Sequence, residues 1–509
     1  MLQDLMTLNL RKSAHEQITA LLREHAEWLF VSDGTVQPLR CEEIELNFVQ
    51  QRLMFSCWTE AGTRVWRLIG WDWNGQLLEL KVSRRMGAEV SLIELIPRPT
   101  ARVVTATIRA ARQMLCERLA GLAAAVEIET AVERLSLSRG TKPDQPGRYA
   151  QIVLRRRRER ITVTGPVVSS QPSAVDAFLS SALLWFQRTS DRTKPPFVEQ
   201  LWLIVSPELL QPLIYRVALL RSGLRSIIKV FTVDDQLTAL TAASCPDKDE
   251  LWKKRLARFP PVAAAIPGEL SSVIVAEAPD AIDVVHSRHG ETLRYFGLPF
   301  ARVRSLLGHE RAWFGIDRAH RCLLDDSTLN AWQNLLDDLR EHRSASALDH
   351  RHAFYRAAPE AWLESLLRRD ITRLDPGLII APLHAQFRTA RGAKLGIRPI
   401  DLLALRQDGR LVVIELKVSE DREHVLQGAD YWRRVEAHRR RGHIAKAKLF
   451  GARTISDEPP LVYLVAPTLR VHPAFHTLAH CISSDIEIYR FDINEDWRSG
   501  VRVMHRQKS

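Results

Sequence analysis

The chain has 509 residues, 46% of them hydrophobic and 26% charged, with 72 Lys+Arg against 60 Asp+Glu for a formal net charge of +12. Those values exclude a disordered or collagen-like chain, and the length exceeds what one typical core fills, so several domains are expected. A basic balance on a large chain favours association with polyanions and says nothing of fold.

Residues 1–30 read as an opening helix with apolar residues at helical spacing. The same segment lacks the uninterrupted apolar stretch of a signal peptide, and no apolar run in the chain reaches the length of a membrane span, so no membrane association is expected. From Glu43 to Pro97 the texture changes to short alternating runs: IELNFV, RLMFSCW, RVWRLIGWDW, QLLELKV and EVSLIELI. Turn signals at Glu60–Gly62, Asn74–Gly75 and Met86–Gly87 separate them, which predicts an antiparallel meander with one buried face. A helix is predicted over 102–125, and the polar stretch 136–147 reads as a boundary.

Next come predicted strands over 149–154 and 160–164, a helix over 174–187, a strand over 201–205, a helix over 207–221 and a strand over 227–233. That order is a βαβ unit and predicts some parallel sheet. The basic run Arg155–Arg158 falls at its first strand turn, where a solvated turn is preferred to a phosphate contact. Residues 256–340 begin with the Pro-rich FPPVAAAIPGEL, hold mixed strands and end in the helix LNAWQNLLDDLREHR; SASALDHRH (344–352) reads as a linker. The expected class is therefore a multidomain α/β protein. Its units are an N-terminal α+β unit with an antiparallel sheet (1–135), a βαβ-containing α/β unit (148–255), a mixed α+β region (256–345) and a C-terminal unit (353–509).

The six cysteines, Cys41, Cys57, Cys116, Cys245, Cys322 and Cys481, form no CxxC and have no histidine at zinc-finger spacing. Reduced thiols in a cytoplasmic protein are expected, with neither a disulfide scaffold nor a structural zinc site. There is no GxxxxGK[ST], HExxH or GxSxG. His438 and His443 are expected to be exposed histidines of a basic helix. His472, His476 and His480 are expected to be structural or surface groups, since no carboxylate joins them at metal-ligand spacing.

The C-terminal unit carries the chemistry. Its predicted order is a helix (359–374) opened by Pro359, strands over 378–389, 399–405 and 411–418, a helix over 423–441, a strand over 461–467, a short helix over 474–481 and a strand over 486–491. The turn Asp408–Gly409 makes the second and third strands an antiparallel pair, which brings Asp401, near the start of one, beside Glu415, near the end of the other. Glu415 and Lys417 are two apart, so both leave one face. Two carboxylates can bind Mg²⁺ through oxygen and leave positions for water and substrate, while a nearby lysine orients that water or meets the developing phosphate charge.

Asp401 and Glu415-Leu416-Lys417 in an αβββαβ frame resemble the PD-(D/E)xK nuclease superfamily, the restriction-endonuclease-like proteins that include RecB-type and NucS-type nucleases. The match covers about the last third of the chain. The proline stands two residues before the aspartate, in Pro399-Ile400-Asp401, where the superfamily pattern has it adjacent. The resemblance implies Asp401 and Glu415 as metal ligands and Lys417 as the catalytic lysine. It also implies a helix glutamate at the metal. Glu364 is favoured over Glu360 because Trp362, Leu363, Leu366 and Leu367 mark the buried side beside it. Gln427 and Tyr431, an i,i+4 pair, resemble the QxxxY motif that contacts substrate in RecB-like nucleases. The cations that follow, Arg433, Arg434, Arg439 and Arg440 with Lys446 and Lys448, read equally as a solvated helix face or a phosphate-binding flank.

A second tripeptide, Glu79-Leu80-Lys81, echoes the first, and coincidence is preferred over duplication. The expected activity is that of an Mg²⁺-dependent deoxyribonuclease, with Mn²⁺ as a substitute ion and RNA open beside DNA as substrate. A homodimer or a larger repair or defence complex is compatible with the resemblance. Two alternatives stay open: a catalytically silent nuclease-fold protein that binds nucleic acid or acts as a scaffold, and a ligand-sensing or assembly role for the βαβ region.

Overall fold

The computed structural model describes residues 3–4, 8–32, 35–49, 52–59, 62–84, 89–98, 101–140, 145–168, 172–192, 195, 197–234, 237–246, 248–253, 256, 259, 267–287, 290–306, 309–316, 321–389 and 398–509. The turn residues Glu60, Met86 and Gly87 and most of the Pro-rich segment 259–270 fall outside them. The chain is a mixed α/β protein built on four β-sheets. No described helix is long and apolar enough to cross a membrane.

Helix α1 (Leu8–Glu24) sets Ala14, Ile18 and Leu22, spaced by four, on the N-terminal sheet. The helix expected over 1–30 stops early, because Glu27–Ser32 is strand β1. Its residues alternate between half-buried and buried, with Trp28 and Phe30 inward, a period of two that a helix cannot satisfy. Strands β2 (Thr35–Arg40), β3 (Ile44–Val49), β4 (Arg52–Thr59), β5 (Gly62–Trp73), β6 (Leu78–Arg84) and β7 (Glu89–Arg98) complete an antiparallel sheet ordered β2-β1-β7-β6-β5-β4-β3. The Glu79–Lys81 echo lies in β6, where Glu79 faces Asp72 on one side and Glu94 on the other, and Lys81 is exposed.

Helix α2 (Ala101–Val126) packs Cys116, Leu119, Ala120 and Ala123 against Ile152, Leu154 and Val163 of the next sheet. Strand β8 (Thr130–Arg139) is a hairpin partner of β9 (Pro146–Arg156). The boundary expected over 136–147 falls where Ser136–Arg139 of β8 pairs with β9, which starts at Pro146, with 141–144 outside the described residues. The segment is polar because β8 is an edge strand with a largely solvated surface, not because the chain changes domain. Strands β10 (Glu159–Pro166), β11 (Val198–Val205), β12 (Ile228–Val233) and β13 (Leu240–Ala243) follow. The sheet runs β13-β12-β11-β10-β9-β8, with β10, β11 and β12 parallel. Helices α3 (Val175–Arg192) and α4 (Pro207–Val217) cover the face opposite α2. Of the run Arg155–Arg158 the first two residues end β9 and the last two form the turn, and two of its cations are neutralised: Arg156 pairs with Glu127 and Glu159, and Arg157 with Glu129.

Helix α5 (Glu269–Ala276) and helix α6 (Leu329–His342) enclose a third, antiparallel sheet of β14 (Ile282–Ser287), β15 (Gly290–Tyr295), β16 (Leu298–Leu306), β17 (His309–Phe314) and β18 (Cys322–Leu323). The expected linker begins immediately after a buried clasp. Arg343, fully buried, donates to the carbonyls of Tyr295 (2.9 Å), Phe296 (2.7 Å), Phe354 (2.7 Å) and Ala357 (2.8 Å), and its guanidinium lies 4.7 Å from the centre of the Trp362 ring. One side chain thereby joins the third sheet to the start of the C-terminal unit.

That unit holds α7 (Pro359–Arg369), β19 (His384–Phe387), β20 (Ile400–Leu405), β21 (Leu411–Leu416), α8 (His424–Arg440), β22 (Leu461–Pro467), α9 (Phe475–Cys481), β23 (Ile488–Ile493) and β24 (Val503–Lys508). The sheet runs in sequence order; β21, β22 and β23 are parallel and the outer pairings antiparallel. Strand β24 was not expected. Its residues are nearly all exposed and charged or polar, the composition of an edge that resists further pairing and carries no alternating signal. Helix α8 is buried on all sides. Val425, Leu426, Ala429 and Trp432 share a core with Phe178 and Leu179 of α3 and Leu209, Leu213 and Val217 of α4. A Cβ on Gly428 would stand 2.6 Å from Leu464 Cδ2, so this glycine lets α8 press closely onto β22.

Replacing Arg343 by alanine removes the guanidinium donor from four buried or partly buried carbonyls. The expected loss is about 3 kcal/mol or more, and Arg343→Lys should restore less than half of it, because an ammonium cannot reproduce the planar fork. Thermal melting of the three proteins checks this.

Candidate active site

The Asp408–Gly409 turn, with Gly409 at φ +82°, pairs β20 and β21 in the register Leu402↔Ile414, Leu403↔Val413, Ala404↔Val412. One step beyond Leu402↔Ile414, Asp401 stands opposite Glu415, at the end of the sheet where β20 begins. The backbone N–H of Leu416 donates to Asp401 Oδ2 at 2.9 Å. Lys417 Nζ donates to Glu415 Oε1 at 2.8 Å and lies 3.6 Å from Asp421 Oδ2. The three expected residues are therefore together.

Helix α7 brings Glu364, 3% exposed, towards the same point. Gln386 Nε2 donates to Glu364 Oε2 at 2.7 Å and to Asp401 Oδ1 at 3.4 Å, and Arg294 of β15 approaches Glu364 Oε1 at 3.8 Å. Gln386 has φ +49°, a left-handed backbone that costs a non-glycine residue free energy and that such sites retain. Glu360, the alternative on the same helix, is less buried and makes none of these contacts.

The electrostatics follow from burial and charge. Glu415, 2% exposed, has its pKa pushed well above the ordinary carboxylate range by burial and then by the Asp401 charge, against the pull of Lys417. Burial also raises Asp401, opposed by the Leu416 N–H and Lys417, and raises Glu364, opposed by Gln386 and Arg294. Burial disfavours the Lys417 cation, but Glu415 and the nearby aspartates outweigh it and hold the ammonium charged. Burial and the Lys417 charge pull His424 down to about 4, so it is neutral and its Nε2–H donates to the Glu415 carbonyl at 3.2 Å. Glu415 Oε2 is buried and accepts no hydrogen bond. Among the described residues, no group of three or more His, Cys, Asp or Glu side chains converges at metal-binding geometry.

No protein-family model matches this chain, and no curated protein or solved structure is similar to it at a significant level.

The QxxxY pair is brought to the site but enclosed. Gln427 is 1% exposed; its Nε2 donates to Glu423 Oε2 at 3.3 Å and its Oε1 is buried without a donor. Tyr431 is buried, and its phenol pKa is raised by burial and by the nearby Glu415 charge. Both line a pocket of about 170 Å³ closed by Tyr215 and Arg216 of α4.

The arginines that follow form neither a solvated face nor a free phosphate flank. Asp430, buried, meets Arg433 (2.6 Å), Arg434 (3.2 Å) and Arg216 (3.2 Å), and Arg216 also binds Asp176 at 3.0 Å. Glu436, fully buried, meets Arg439 (2.7 Å) and Arg440 (2.6 Å). Only Arg440 of these four α8 arginines is substantially exposed. His438 and His443, expected on the surface, are buried, with their Nδ1 atoms 3.1 Å apart and His438 Nε2 on the Thr389 carbonyl at 3.0 Å. The three later histidines do not converge: His476 contacts Arg490, His480 turns back to the His476 carbonyl, and His472 caps Ala474.

Sequence reasoning missed Gln386, Arg294, Asp421 and His424. Asp421 stands four after Lys417 and had a readable spacing; Gln386 shares its short strand with His384, so its polarity does not single it out; Arg294 comes from another sheet and left no local signal.

Burial would raise the Asp430 carboxyl, but Arg216, Arg433 and Arg434 outweigh it and hold its pKa far below the ordinary aspartate value. Its stabilising effect is thus complete above about pH 4 and declines as pH falls below that. Asp430→Asn should destabilise the protein by about 3–5 kcal/mol at neutral pH, with a smaller gap at pH 3. Denaturant melts of both proteins at the two pH values check the sign.

Proposed function

We propose that the chain is a divalent-metal-dependent nuclease that hydrolyses phosphodiester bonds of DNA at Asp401, Glu415 and Lys417. One observation carries this reading: two carboxyls stand opposite each other across a hairpin at a sheet end, with a lysine ion-paired to one of them at 2.8 Å. The order of a helix, three antiparallel strands, a helix and a parallel strand supports the reading, because it is the order expected of a restriction-endonuclease-like unit.

The donors suit a hard cation. Both are oxygen ligands, and the orphaned Glu415 Oε2 is the atom a cation would satisfy. Asp401 and Glu415 would hold Mg²⁺, or Mn²⁺ in its place, with water and substrate completing the shell. A cation held by these two carboxylates would supply acidification of a water and charge neutralisation at the phosphate. Lys417, kept cationic by Glu415 and Asp421, is placed to meet the charge that builds on the phosphate oxygens. Leu416 N–H fixes one Asp401 oxygen. Gln386 ties Glu364 to Asp401, so Glu364 acts through that amide to position the aspartate. The upstream sheets would select substrate or partner, and β15 already reaches the site through Arg294.

The second reading is a catalytically silent nuclease-fold protein that binds nucleic acid or acts as a scaffold; the enclosure of Gln427 and Tyr431 and the paired α8 arginines support its scaffold form, because they leave few cations of α8 open to a phosphate backbone.

Purified protein incubated with single-stranded, duplex and branched DNA should cleave at least one substrate with Mg²⁺ or Mn²⁺ and none with EDTA. Asp401→Ala, Glu415→Ala and Lys417→Ala should each lower the rate by about 100-fold or more. Cleavage that survives Glu415→Ala overturns the site, and DNA binding without cleavage under any condition favours the second reading.

A further inference from the structure

We infer that the central sheet carries a separate binding site for a short single-stranded oligonucleotide, in a cleft of about 860 Å³ between β8, β9, β10 and α3.

The cleft follows from how the sheet is covered. Residues Ala150, Ile152 and Leu154 of β9 point to α2. On the other face Tyr149 packs under α3, but α3 does not extend over the outer strands. Gln151, Val153 and the β8 residues Arg134, Ser136 and Ser138 therefore face an open concavity with α3 as its wall. The α3 wall is buried at Leu184, Trp185 and Thr189, and the rim is exposed at Arg134, Arg139 and Arg188.

The charge there is one-sided. Five arginines, Arg134, Arg139, Arg160, Arg188 and Arg422, line the cleft against one carboxylate, Glu133. Glu133 takes Arg160 through two hydrogen bonds, at 2.6 and 2.7 Å. The guanidinium groups of the other four make no ion pair with any described carboxylate, in a molecule whose arginines are widely paired, as at Arg156, Arg216, Arg433 and Arg439. Holding several unpaired cations around one concavity is unfavourable without an anion, and a concave wall focuses their field on whatever enters.

The shape selects the anion. Guanidinium forks match phosphate oxygens in pairs. Four of them, spread over β8, α3 and the loop after β21, suit several phosphates along a chain better than one. The volume lies within the usual range of about 300–1,000 Å³ for small-ligand sites, which suits a few nucleotides and excludes a duplex. Ser136, Ser138, Ser181 and Gln151 supply neutral polar groups for sugar and base edges. This inference does not depend on cleavage at Asp401 and Glu415.

The test uses the full chain carrying Glu415→Gln, in EDTA, with fluorescein-labelled tetranucleotides of DNA and of RNA. Inorganic triphosphate, ATP and a glutamate-rich peptide serve as competitors. Arg134→Glu and Arg188→Glu, both exposed and free of structural partners, should each weaken oligonucleotide binding by about tenfold or more, and should flatten its dependence on salt as phosphate contacts are lost. Lys417→Ala should leave the affinity within about twofold, against the 1.4 kcal/mol of a tenfold change. Oligonucleotide binding that both arginine variants retain, or that only Lys417→Ala abolishes, overturns the proposal. So does a glutamate-rich peptide that displaces the probe as well as unlabelled tetranucleotide does, or a probe displaced by triphosphate alone at equal phosphate concentration.

Discussion

A single buried carboxylate organises the part of the molecule that holds the candidate site. Asp430 pairs with two guanidinium groups of its own helix, one turn on, and with Arg216 of α4. Cations this deeply buried are tolerable only with a partner, and here one aspartate, helped by Asp176, serves three of them. The network fixes the rotation of α8 about its axis. That rotation turns Tyr431 into the core it shares with Leu403, Leu405 and Val413, where its phenol feels the Glu415 charge. It also sets Gln427 on the wall of the same pocket as Tyr431.

The hairpin end has the opposite character. Asp401 and Glu415 repel each other, both are disfavoured as anions by burial, and one lysine balances them. Such an arrangement is costly for folding and is the kind that functional sites retain. The left-handed Gln386 belongs to the same pattern, since a strained backbone and a raised carboxyl pKa occur within one hydrogen-bonded chain from Glu364 to Asp401.

Much of this was legible in local spacing. The Asp408–Gly409 turn dictated the hairpin register, and the register alone made Asp401 and Glu415 neighbours. The buried stripe of α7 distinguished Glu364 from Glu360. The burial of α8 was partly legible too. Asp430 with arginines at +3 and +4, and Glu436 with arginines at +3 and +4, are intrahelical pairs that the eye reads as a basic run when only cations are counted. What could not be read was the approach of α4, because Arg216 lies far away in sequence and its helix looks like any amphipathic surface helix. The polar strand β8 and the charged edge strand β24 failed for a related reason. An edge strand has no obligation to alternate, so its pairing is decided by a neighbour rather than by its own pattern.

The shared core around α8 bears on how such a protein could be taken apart or reassembled. Val425, Leu426, Ala429 and Trp432 are covered from one side by their own sheet and from the other by α3 and α4. A fragment beginning at residue 353 would display that second side as bare apolar surface and would lose Arg216 from beneath Asp430. The C-terminal unit is therefore not a cassette. It could be moved to another scaffold only together with the two helices of the central sheet that complete it, and the unit of inheritance for its chemistry is larger than the segment that holds its motifs.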